Sequence, residues 1–398
     1  MHEQAVPLAR RIAAFGLPGV PIPDAVAPSD QVWSSLFGLV QDQRITGLAI
    51  ESVADGWLDL TEEQTEQLFA AHRDAMMWTL LIERKLVGLV GEFERDGIGF
   101  AVLKGASVAR TAYAEPCLRS FGDLDLLVRT ADYGRACALL GRLGHERQRP
   151  EPRPGFEVRF GKGSVHRHPE DRIEVDLHRT LVLGPFGLWV DPEELMDRRQ
   201  TFDLAGRKIS RLDDTGMLLN VAMHASLGRS EARLVPLRDV AQVVKSGRVD
   251  WDVLASWARR WHLTAVLQDA FSTSSRVLDA AVPEGTRALL APEAPRSEVR
   301  ALEAYQGERR FLGGTPVMTL RAIPGLGSKA AYVWALAVPD QKFLRARANG
   351  AEKATYRRRW SIALHWALGR LRWRRGPAHR MVDGDPSMVP SQTKGRGI

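Results

Sequence analysis

The chain has 398 residues, 44% of them hydrophobic and 26% charged, which is enough apolar material for two or three cored domains and excludes wholesale disorder. Two cysteines, Cys117 and Cys137, are too few for a disulfide framework or a zinc site. No apolar run reaches the roughly 18 residues of a membrane span, and the N-terminus lacks a secretory apolar stretch, so a cytoplasmic protein is expected. The net charge of +7 is unevenly placed: residues 351–398 carry 11 Lys/Arg against 3 Asp/Glu, so only the tail is basic.

Residues 30–97 predict helices. Within them "TEEQTEQLFAAHRDAMMWTLLIERKLVGLVGEFERDG" keeps apolar residues at helical spacing from a Thr/Glu start to a Gly stop. "IGFAVL" (98–103) predicts a short buried strand before a glycine, and "GASVARTAYA" from Gly105 a short helix. "DLDLLV" (123–128) predicts a second strand, and "DYGRACALLGRLG" (132–144) an amphipathic helix that starts on Asp132 and ends on Gly144. Past a proline-rich loop, alternation predicts strands at "FEVRF" (156–160) and "DRIEVDLHRT" (171–180). From Asp213 onward "DDTGMLLNVAMHASLG", "LVPLRDVAQVVKSG" and "DWDVLASWARRWHLTAVLQDAF" are helical again. The fold class is therefore α+β. A helical N-terminal segment (1–97) precedes an α+β core (98–205), followed by a helical C-terminal domain (206–350). A basic Trp/Arg-rich segment with a disordered tail (351–398) closes the chain.

The pattern D-x-D occurs three times. Asp250 and Asp252 sit where a helix starts, and Asp383 and Asp385 lie in the tail. Only Asp123 and Asp125 open an apolar strand, where residues i and i+2 point to one face. Two carboxylates on one face repel and are costly near a core, which makes a divalent metal such as Mg²⁺ the economical explanation. The alternative is a pair solvated at a strand end. Asp176, between Val175 and Leu177 with Glu174 and His178 on its own side, could bring a third carboxylate to the same place. The "LKGAS" turn offers backbone N–H groups to a phosphate, and Lys104 and Ser107 add a cation and a hydroxyl. Together these features suggest a triphosphate held by metal.

At this point the residues resemble a family. "LKGASVARTAY", "LRSFGDLDLLV", "LLGRLGH" and "EVDLHRTL" are similar to the uncharacterised nucleotidyltransferase family of the DNA polymerase beta-like superfamily. The resemblance is strongest over residues 98–181, and "RLVPLRDVAQVV" and "GLGSKAAYVWALAVPDQKFLRAR" look like the family's C-terminal half. Two departures stand out: the superfamily's glycine-serine turn is Gly105-Ala106-Ser107, and Arg179 follows the histidine where an aromatic residue is expected. Neither removes a metal ligand. The resemblance implies a small mixed β-sheet nucleotidyltransferase core between helical segments. It implies Mg²⁺-dependent transfer of a nucleoside monophosphate from an NTP such as ATP to an acceptor, with release of pyrophosphate. Asp123, Asp125 and Asp176 would be the catalytic metal ligands, with Lys104, Gly105, Ser107, Arg119 and His178 contacting the nucleotide. Arg119 has a surface ion pair as its competing reading, and His178 a structural role. His224 and the pair Arg238 and Asp239 read as interhelical polar contacts on the acceptor side of a cleft. The acceptor, whether small molecule, peptide, protein or RNA end, is not specified. Two other functions stay open at this stage, a metal-dependent glycosyltransferase that uses a nucleotide sugar and a non-catalytic nucleotide-binding protein.

"YRRRWSIALHWALGRLRWRR" (356–375) sets arginine clusters around a tryptophan-rich segment. It could lie on a membrane surface, meet nucleic acid, or form a helix packed on its own protein with arginines outward. Its poor amphipathicity favours packing.

Overall fold

The strands expected at 98–103, 123–128 and 171–180 form the middle of one sheet in the computed structural model, which describes residues 3–347 apart from 22–23, 229–232, 281–283, 287–288, 290–292 and 308–313. Its strands are β1 (Phe100–Val102), β2 (Leu124–Val128), β3 (Glu146–Arg147), β4 (Gly163–Arg167), β5 (Glu174–His178), β6 (Gln200–Leu204) and β7 (Arg207–Arg211). Among the described residues they run in the order β3-β4-β5-β2-β1-β7-β6. The β2–β5 and β1–β7 pairs are parallel and the others antiparallel. The protein is α+β with a mixed sheet.

Helices precede, interleave with and follow the sheet: α1 (Ala5–Ala14), α2 (Asp30–Asp42), α3 (Thr46–Ala54), α4 (Glu62–Arg95), α5 (Ala106–Thr111), α6 (Tyr133–Arg142), α7 (Phe156–Phe160), α8 (Pro185–Trp189), α9 (Pro192–Asp197), α10 (Asp214–Leu227), α11 (Leu234–Lys245), α12 (Trp251–Arg260) and α13 (Thr264–Leu278), with further helices beyond. The long α4 starts in a capping box, in which Thr61 and Gln64 satisfy each other's backbone N–H at 3.3 Å. It stops before Gly97, whose φ of +62° favours glycine.

Side-chain alternation gives the central strands two different faces. Leu124, Leu126 and Val128 of β2 and Val175 and Leu177 of β5 pack with Leu86 and Phe93 of α4 and Leu139 and Leu140 of α6. Each such side chain removed from water contributes about 1.5–3 kcal/mol. The opposite face, through Ala101, Leu103 and Leu127, packs against Met217, Leu218 and Val221 of α10. Helices α1 to α3 share a third core with α11 and α13, where Trp33, Leu36 and Ile45 meet Leu237 and Leu278.

Two segments differ from expectation. "FEVRF" is helical, not a strand, because Phe156 and Phe160, one helical turn apart, both pack on Tyr332 while Val158 stays exposed. The sheet also continues beyond residue 205. Ala205 and Gly206 both take positive φ, and this tight turn folds β7 back beside β6 and parallel to β1.

The chain divides into a unit of Met1–Phe343 and a second of Leu344–Ile398. Of the second, only the end of a helix, Gln341–Arg347, is described. The Trp/Arg-rich segment 356–375, Asp383, Asp385 and the tail beyond Gly376 lie outside the described residues. No helix among the described residues is long and apolar enough to cross a membrane.

Candidate active site

In the parallel ladder between β2 and β5, Asp125 pairs with Asp176 and Leu127 with His178. Register partners in neighbouring strands share a face, so Asp125, Asp176 and His178 converge, and Asp123 joins them two residues before Asp125. This is the face that looks toward α10. Here the strand pattern changes from apolar to charged, and Asp125 is only 3% exposed.

Cations answer most of this buried charge. The Lys104 ammonium, just past β1, donates to Asp125 Oδ2. His178 Nε2 lies 2.9 Å from Asp125 Oδ1 and 3.2 Å from Asp176 Oδ2, bridging the two strands. Lys162 donates to Asp176 Oδ2 at 2.6 Å. Burial opposes ionisation of both carboxylates. Lys104 and His178 nevertheless hold Asp125 well below the usual range, and His178 and Lys162 do the same for Asp176. Asp123 moves the other way: the like charge of Asp125 raises its pKa and Lys104 offsets only part of the effect. His178 is raised, since Asp176 and the hydrogen bonds to both aspartates outweigh its burial and the repulsion from Lys162.

Glycines shape the scaffold at two positions. Gly105 turns the chain after Lys104 with φ +64° and ψ −115°, a conformation that side-chain-bearing residues rarely adopt. A Cβ on Gly163 would stand 1.9 Å from the Leu177 carbonyl oxygen, so only glycine lets β4 start against β5 with Lys162 beside Asp176.

The structure thus brings Asp123, Asp125, Asp176, Lys104 and His178 to one cleft of about 360 Å³, with Gly105 forming the turn behind Lys104. Ser107 and Arg119, expected to contact the nucleotide, are directed elsewhere. The buried Ser107 hydroxyl donates to the Leu103 carbonyl, four residues back across the Gly105 turn. Arg119 is 5% exposed and commits Nε and Nη2 to Asp239 at 2.9 and 2.8 Å, while Tyr113 donates to the same carboxylate at 2.9 Å. Arg238, the neighbour of Asp239, donates instead to the carbonyls of Ala13 and Phe15.

Sequence reasoning missed Lys162, Asn220 and Arg44. Lys162 sits in a loop before a strand that was not anticipated. Asn220 lines the cleft with His224, one turn apart on α10. Arg44 lies so close to Gly122 that a Cβ there would be 2.7 Å from its Nη2, and its charge favours ionised Asp123. Nothing in the spacing links Arg44 to a strand almost eighty residues later.

Asp125, Asp176 and His178 can each offer a ligand atom within 4.8 Å of the others. The donor set fits a hard divalent cation. It is rich in carboxylate oxygen, Asp176 Oδ1 is buried without a hydrogen-bond partner, and Asp123 carries like-charge repulsion that a cation would relieve.

A family model described as uncharacterised nucleotidyltransferase matches residues 29–279, from α2 to the end of α13 and through every strand of the sheet. The chain belongs to that family. Its enzyme class is nucleotidyltransferase, and a nucleotide substrate follows. Among solved structures the chain is similar to an antigenic nucleotidyltransferase-like protein from Paracoccidioides brasiliensis, at 14% identity and a TM-score of 0.33, covering 54% of this chain and 97% of that one. A likeness so loose carries no argument. No curated protein matches the chain.

Proposed function

We propose that this nucleotidyltransferase is Mg²⁺-dependent and passes a nucleoside monophosphate from an NTP to an acceptor hydroxyl, releasing pyrophosphate. The observation that carries the reading is the register that sets Asp125 beside Asp176 with Asp123 on the same face. Family membership supplies the reaction class. Asp123, Asp125 and Asp176 would hold the metal. When bound, such an ion offsets phosphate charge and acidifies an acceptor hydroxyl.

The chain's own residues do the rest. His178 touches both Asp125 and Asp176 and keeps their carboxylates in one orientation. Lys162 holds Asp176 Oδ2, leaving Oδ1 as the oxygen that would face the ion, while the attacking hydroxyl gives up its proton to solvent. The acceptor oxygen bonds to the α-phosphorus as the bond to the bridging oxygen breaks, and pyrophosphate leaves against the positive charge of Lys104.

Calorimetric titration of each NTP, with and without Mg²⁺, into the wild type and Asp123→Asn/Asp125→Asn tests this reading. Metal-dependent binding that the double variant loses is expected. Binding that is indifferent to metal and survives the double variant would make the chain a nucleotide binder without this chemistry. A nucleotide sugar bound in place of any NTP would indicate a glycosyltransferase.

A further inference from the structure

The charged groups of the cleft, Lys104, Lys162, His178 and the three aspartates, stand on or beside the sheet strands, while α10 and the loop after β5 add apolar groups such as Leu181, Met223 and Leu227. Asn220 and His224 of α10 sit among them, four residues apart and therefore on one face of the helix. Asn220 is 5% exposed, and its Nδ2 is buried without a hydrogen-bond partner. A donor stripped of water and left unpaired is costly unless a ligand completes it. His224 stays uncharged, because burial and then Lys104 push its pKa down to about 3. Its ring therefore offers hydrogen bonds without charge.

A nucleoside triphosphate has the same polarity, anionic at the phosphates and neutral at the nucleoside. With the phosphates at Lys104 and the carboxylates, the nucleoside lies along α10. We propose that α10 is the nucleoside wall of the site and that Asn220 reads the base edge, selecting adenine. The Asn220 side-chain oxygen would accept from the adenine amino group while Nδ2 donates to N7 beside it. Guanine presents two acceptors, O6 and N7, on the matching edge and leaves the Asn220 oxygen facing an acceptor. Cytosine, and uracil with the amide turned over, offer a donor beside an acceptor, but their smaller ring covers less of the apolar wall.

This inference rests on the proposed triphosphate site, and the test separates the two. The affinities of ATP, GTP, CTP, UTP and inorganic tripolyphosphate, all with Mg²⁺, are measured for the full chain, for Asn220→Leu and for Asn220→Asp. Wild type is expected to favour ATP over GTP by about tenfold or more, the scale of one matched base contact. Asn220→Leu should weaken ATP by about tenfold and level the bases while tripolyphosphate binds as before, which also shows that the variant is folded. Asn220→Asp keeps the size but loses the donor, and should weaken ATP more than it weakens tripolyphosphate if leucine is not tolerated. ATP affinity and base preference unchanged in both variants would overturn the assignment. Tripolyphosphate binding with no base discrimination in the wild type would overturn this inference alone. Failure of the wild type to bind any of the five would overturn the triphosphate site as well.

Discussion

The Arg119 guanidinium grips the Asp239 carboxylate through two nitrogens, at 2.9 and 2.8 Å, across 120 residues of sequence. The contact ties the segment leading into Asp123 and β2 to α11, and Arg119 Nη1 also donates to the Ser120 carbonyl at 2.6 Å. Both side chains are almost wholly buried. Removing one partner strands a buried charge, so Arg119→Met and Asp239→Leu should each cost about 3–5 kcal/mol in urea unfolding. The double variant Arg119→Met/Asp239→Leu should recover part of that loss. A double variant as unstable as the sum of the singles would show the pair to be uncoupled.

Asp123 and Asp125 lose the same charge on substitution by asparagine yet should answer with different stabilities. Asp125→Asn removes the carboxylate bound by Lys104 and one of the two that hold His178, and should cost about 3 kcal/mol. Asp123→Asn relieves the repulsion that raises the Asp123 pKa, so stability should hold or rise by up to about 1 kcal/mol. Metal-dependent nucleotide binding should fall in both. Thermal melts run beside the titrations separate the two effects, and equal destabilisation by both variants would remove the assigned asymmetry.

Glu157 supplies a pH signature away from the cleft. Burial raises its pKa to about 7 from 4.5, although Arg147 and the Tyr133 hydroxyl both favour its charge. Between these values the folded protein keeps a proton that the unfolded chain has released, so this group's contribution to stability falls as pH rises from about 4.5 to 7 and is level above. The integrated loss is on the order of 3 kcal/mol. His145 and His166, lowered to about 4 mainly by burial, act in the opposite sense from pH 4 to 6.5. The quantity to measure is therefore the difference between wild type and Glu157→Gln across urea unfolding at several pH values. The variant should gain on the wild type as pH rises from 4.5 to 7, and a constant difference would mean that Glu157 titrates normally.

Gly105→Ala should lower stability by about 1–3 kcal/mol, the usual cost of holding a side chain in an unfavourable backbone region. Space is not the cause, since the nearest atom to an added Cβ is a Phe121 ring carbon at 3.4 Å. If the turn relaxes, Lys104 moves with it, and nucleotide affinity should fall together with stability. An alanine variant as stable as the wild type would show that the turn has another accessible conformation.

The strands around "DLDLLV" and "EVDLH" were legible because their apolar runs are bounded by polar and glycine punctuation. The long helix from Thr61 was legible from its period and its cap. "FEVRF" was not, because five residues with aromatics at both ends suit a strand face and a helix face equally well, and Tyr332 decides between them. The candidate metal ligands could be named because alternation is local: residues two apart in a strand share a face whatever surrounds them.

What the sequence by itself determined is this local geometry, the acids at strand starts, the glycine after β1 and the resemblance those motifs carry. The tertiary structure alone decided that Asp125 and Asp176 are register partners, that Lys162 and not Arg119 reaches the carboxylates, and that Asn220 and His224 line the same cleft. These outcomes depend on strand order and on helix packing between segments far apart in the chain. The physical reason is that charge seeks a partner across space. Arg119 meets Asp239 on α11, 120 residues later in the chain, where both side chains are buried.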